Sequence, residues 1–89
     1  MSSVFIRHRV ADFDLWKAAF DKHGAARREH GLTDTSLLRD VQDANMVTVV
    51  LTTEDVGRAR KFFASDSLRE AMSGAGVASK PDMWIANDA

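Results

Sequence analysis

Apolar and polar positions alternate at the start of the chain. Val4, Ile6, His8 and Val10 share one face of an extended segment, so Val4–Val10 reads as a strand with a histidine on its apolar side. The period then changes. Phe13, Trp16 and Phe20 recur at helical spacing, and the same stripe continues into His23 and Arg27. Asp12 is placed to cap this helix, and Asp14 adds a favourable charge to its first turn. The pattern predicts a helix from Phe13 to His30, with Gly31 as its C′ residue. Gly24 lies inside it and marks either a close approach or a bend.

Two further strands are predicted at Thr33–Asp40 and Met46–Thr53, joined across the polar run Val41–Asn45 as a hairpin. Met46–Thr53 is rich in β-branched residues and almost continuously apolar, which predicts a central strand buried on both faces. Glu54 and Asp55 open a second helix over Val56–Ala64, with Val56, Ala59, Phe62 and Phe63 on its apolar side. Ser65-Asp66-Ser67 interrupts it. Ser67 and Glu70 have capping-box spacing, which predicts a restart carrying Leu68, Ala71 and Met72 until Gly74 and Gly76. Lys80-Pro81 is extended, and Met83–Ala86 is the last strand.

The order β-α-β-β-α-β is that of a ferredoxin-like α+β domain. Right-handed crossovers place both helices on one face of a four-stranded antiparallel sheet. The opposite face then needs a cover. The 89 residues are expected to form one domain, 1–89, with a modest core. There is no cysteine, which excludes disulfides, thiolate metal sites and cysteine nucleophiles. A small domain without such staples gains burial by oligomerising, so a homodimer is expected. The net charge of −1 supplies no electrostatic reason for binding nucleic acid or an anionic membrane. No run approaches the length of a membrane span. Met1-Ser2-Ser3-Val4 has no basic region followed by a long apolar one, so a cytoplasmic protein is expected.

The run His8–Lys17 with Phe20-Asp21 resembles small dimeric α+β barrel proteins of the antibiotic biosynthesis monooxygenase-like, or cyclase-like, superfamily. Leu38-Arg39-Asp40, Asp43-Ala44-Asn45, Leu68–Met72, Gly76-Val77 and Lys80-Pro81 carry the resemblance over nearly the whole chain. It implies a homodimer whose two sheets form one barrel, with a pocket between sheet and helices in each subunit. It also implies cofactor-free chemistry on a hydrophobic, ring-containing or polyketide-like molecule, as a cyclase or monooxygenase. A non-catalytic dimeric ligand-binding or scaffold protein is the alternative. Haem-degrading relatives use a first-strand asparagine, a tryptophan after the third strand and a helical histidine. Here the first strand carries His8, the third ends in Thr52-Thr53 and the second helix has no histidine, so haem is not expected. The monooxygenases use Asn, Trp and Tyr near the substrate, and this chain has no tyrosine.

The candidate site follows from the stripes. His8 is the candidate acid/base, because imidazole titrates near neutrality. The competing reading is a core histidine satisfied by a protein partner. His23 and Arg27 lie one turn apart and are suited to a carboxylate or phenolate, with Arg27 offering a planar donor fork. The alternative there is a solvated helix end. Trp16, Phe20, Phe63 and Met72 are the candidate apolar wall, or plain core. No metal is expected, since no ligand motif is present.

Overall fold

The computed structural model describes residues 1–89. The order is β1 (Ser2–Arg9), α1 (Phe13–Lys22), α2 (Gly24–Glu29), β2 (Leu32–Arg39), β3 (Met46–Thr53), α3 (Val56–Phe63), α4 (Asp66–Gly74) and β4 (Asp82–Asn87). The strands form one antiparallel sheet in the order β2-β3-β1-β4. This is the ferredoxin-like α+β arrangement.

Strand alternation decides what faces the helices. Val4, Ile6 and His8 of β1 and Val47, Val49 and Leu51 of β3 are buried, and they pack with Trp16, Leu32, Ala59 and Phe62. The register sets His8 opposite Val47 and Ile6 opposite Val49. A register shift between Asp34 and Ser36 lets β2 turn both Asp34 and Leu37 toward that layer.

β3 is central, as predicted, but the single chain buries only one of its faces. Met46, Thr48, Val50 and Thr52 are half-buried, because every helix lies on the other side. On the open face Phe5 stacks on Trp84, with centroids 5.3 Å apart, and Leu38 and Trp84 are 53% and 47% exposed.

The expected continuous helix Phe13–His30 is two helices. His23 leaves helical geometry at φ −89° and ψ 5°, and its N–H is shared between the Ala19 and Phe20 carbonyls. The next residue, Gly24, is buried, and a Cβ there would lie 3.2 Å from Arg28 Nη1. The neighbours there are only the ends of the Arg28 and Arg27 side chains of α2 itself, so Gly24 marks the bend and not the close approach of another element. Gly31 takes φ 78° as the C′ residue.

The restart of the second helical segment also differs from expectation. Ser65, not Ser67, is the N-cap, because its extended backbone lets Oγ accept the Leu68 N–H at 3.3 Å. Gly74 is helical, and the chain turns at Gly76, where φ is 80°. Elsewhere the strands and α3 match the predicted elements to within one or two residues at each end.

Candidate functional site

Between the helices and the inner face of the sheet lies an open cavity of about 550 Å³. Its floor comes from Ile6 and His8 of β1 with Val49 and Leu51 of β3. α1 contributes Trp16, Ala19 and Phe20, α3 contributes Phe62 and Phe63, and β4 contributes Met83. α4 forms the outer wall with Leu68, Ala71 and Met72, and none of its residues is fully buried. The candidates His8, Trp16, Phe20, His23, Arg27, Phe63 and Met72 all line this one space. No group of three or more His, Cys, Asp or Glu side chains is arranged to hold a metal ion.

His8 is 3% exposed, and its ring meets Trp16 edge-on at 5.6 Å. Nδ1 is sealed from solvent without a hydrogen-bond partner. Burial pushes the imidazole below its ordinary value, offset in part by the Arg9 backbone. The ring is therefore neutral at neutral pH. No side-chain hydrogen bond ties the ring to another residue, although the Arg9 backbone lies close enough to act on it. A buried polar group of this kind costs folding free energy unless something pairs with it.

Arg27 is 7% exposed and is already engaged. Nε and Nη2 donate to the two Asp34 carboxylate oxygens, each at 2.9 Å, and Nη1 donates to the Phe20 carbonyl at 2.8 Å. The guanidinium also lies 3.7 Å from the Phe20 ring centroid. The expectation that its fork is offered to a ligand is thus corrected. Asp34, seven residues away in sequence on β2, occupies it and fixes α2 to the sheet. Its role at the cavity is to hold the Phe20 wall. Arg27→Gln should therefore lower stability by about 1–3 kcal/mol, moderated because Asp34 is partly solvated. Urea titration would show it; a loss below about 0.5 kcal/mol would remove Arg27 from this role.

His23 is exposed at the helix junction, where it reaches the cavity rim. Trp16 stacks on Phe20 with centroids 5.0 Å apart, and Phe62 meets Phe63 edge-on at 5.4 Å. Sequence reasoning missed Arg69, Ser73, Lys80 and Met83 among the lining residues. For Arg69 a signal existed: it precedes Met72 by three residues, so both fall on one face of α4. For Lys80 there was none, because a coil residue has no periodicity.

No protein-family model matches the chain, and no curated protein does. Solved structures match over its whole length. A candidate antibiotic biosynthesis monooxygenase from Bordetella bronchiseptica superposes with a TM-score of 0.80 at 16% identity, covering 99% of this chain and 96% of that one. A variant of SnoaB, a cofactor-independent oxygenase from Streptomyces nogalater, gives 0.75 at 14% identity, covering 98% and 91%. Another structure, an antibiotic biosynthesis monooxygenase, gives 0.74 at 11% identity, covering 100% and 99%. The chain has the fold of antibiotic biosynthesis monooxygenase-like proteins. At these identities the likeness establishes fold, and activity has to be argued from the cavity.

Proposed function

We propose that the protein is a cofactor-independent enzyme of the monooxygenase or cyclase type, acting on a hydrophobic ring-containing molecule held in this cavity. One observation carries the reading: a neutral imidazole, tied to no side chain, lines an apolar cavity large enough for a polycyclic ring. Such an imidazole accepts the proton of an acidic ring methylene or hydroxyl and holds the resulting anion close to its own cation. In the oxygenase form the substrate supplies the electrons. The carbanion adds O2 to form a C–O bond, and the hydroperoxide loses water to leave a carbonyl, so CH2 and O2 give C=O and H2O. In the cyclase form the same proton removal starts a carbon–carbon closure. The SnoaB structure, named as a cofactor-independent oxygenase, supports the first form through its shared fold.

Oxygen uptake with anthrone as the probe tests the proposal. Uptake equal to the anthrone consumed is expected, with anthraquinone as product. Lowered basicity at His8 favours a second reading, a binder in which the ring only hydrogen-bonds its ligand. Saturable anthrone binding without any turnover would select that reading.

A homodimer belongs to the same proposal. The open sheet face presents Phe5, Leu38, Val50 and Trp84, an apolar surface that a second copy would cover. Sedimentation equilibrium at micromolar concentration should give twice the monomer mass, and Trp84→Glu should shift it to one. A stable wild-type monomer would contradict the dimer.

A further inference from the structure

The charge around the cavity is one-sided. The chain holds 13 acidic residues and has a net charge of −1, yet no carboxylate lines the cavity. His8, His23, Arg27, Arg69 and Lys80 do. Arg27 is neutralised by Asp34. Arg69 on α4 and Lys80 before β4 are exposed, and neither has a carboxylate within ion-pair distance. The rest of the lining is largely apolar, and the sheet side carries the buried, unpartnered His8.

We propose that Arg69 and Lys80 are specificity-determining residues that select an anionic ligand, an aromatic compound bearing a carboxylate. Its apolar body would lie against the sheet and its anion at the exposed basic side. The proposal rests on the cavity being a binding site, and it adds the charge of the molecule that enters. The physical reason is that neither cation is held in an ion pair, so both stay available to a ligand's carboxylate, although solvent and the nearby Asp66, Glu70 and Asp82 weaken their field. Apolar walls behind them screen that field less than water does. A neutral ring gains nothing from it. A ring with a carboxylate gains at both ends, by apolar burial and by ion pairing, and the second gain is weakened by salt.

Isothermal titration with naphthoate and with the matching naphthamide separates the two, since the pair shares ring and size and differs in charge. Wild type at low salt should bind the acid about tenfold more tightly than the amide, which is about 1.4 kcal/mol. The double variant Arg69→Gln, Lys80→Gln should lose that preference while its amide affinity stays unchanged, which also shows that the cavity is intact. Raising the ionic strength should shrink the wild-type preference toward that of the double variant. Equal wild-type affinity for acid and amide would overturn the charge selection and leave the binding cavity standing. A preference that survives in the double variant would overturn the assignment to Arg69 and Lys80. Failure of both compounds to bind would overturn the proposal together with the reading of the cavity as a site.

Discussion

Trp16→Ala is expected to cost about 3–5 kcal/mol of folding stability, the range for removing a large buried aromatic. Trp16 is 4% exposed and sits at the centre of a line of rings, 5.0 Å from Phe20, 5.9 Å from Phe13 and 5.6 Å from His8. It joins α1 to the sheet while forming part of the cavity wall. The loss should fall at the lower end of the range, because part of the indole already borders open space that water can reach. Urea titration with a two-state fit measures it. A loss below about 1 kcal/mol would mean that Trp16 is not the anchor between the first helix and the sheet.

His8→Ala is expected to reduce anthrone-dependent oxygen uptake by on the order of a hundredfold or more, the scale of losing a general base. Activity should also follow the charge of this ring. His8 accepts a proton only when neutral, and burial lowers its pKa. Uptake should thus hold from neutral pH down through the ordinary imidazole value of 6.5 and fail only below it. Stability runs differently. As pH falls past 6.5, the unfolded chain takes up a proton that the folded His8 resists, so stability drops until the folded value is reached. His8→Ala should flatten that part of the stability profile. An uptake profile unchanged in shape by the substitution would assign the proton transfer to another group.

Much of this was legible in the residues. The alternation of Val4, Ile6, His8 and Val10 and the spacing of Phe13, Trp16 and Phe20 each leave one answer for facing, and the observed helix-side layer follows it. The turn at Gly31 was legible because its positive φ favours glycine. The break at His23 was not, since a stripe running through His23 and Arg27 is compatible with one helix or two. Only the packing of α2 on β2 through Arg27 and Asp34 decides it. That ion pair links two elements across a turn, and nothing local marks Asp34 as the partner. Ser65 and Ser67 both have side chains able to cap α4, and the choice rests on backbone geometry that sequence does not carry. The candidate residues could be placed on common faces from their spacing. Whether the faces would enclose space or close on each other depended on side chains from every element at once.

The most direct test that His8 serves a ligand in an accessible cavity is the thermal melting of wild type and His8→Ala with and without anthrone. The unliganded proteins should melt alike, within about 1 kcal/mol, since water from the cavity can enter the space left by the ring and no other side chain loses a hydrogen bond. Anthrone should raise the wild-type midpoint by mass action, and that of His8→Ala far less. A large loss of stability in unliganded His8→Ala, with no response of the wild type to anthrone, would contradict the ligand role and make His8 a structural residue of the core.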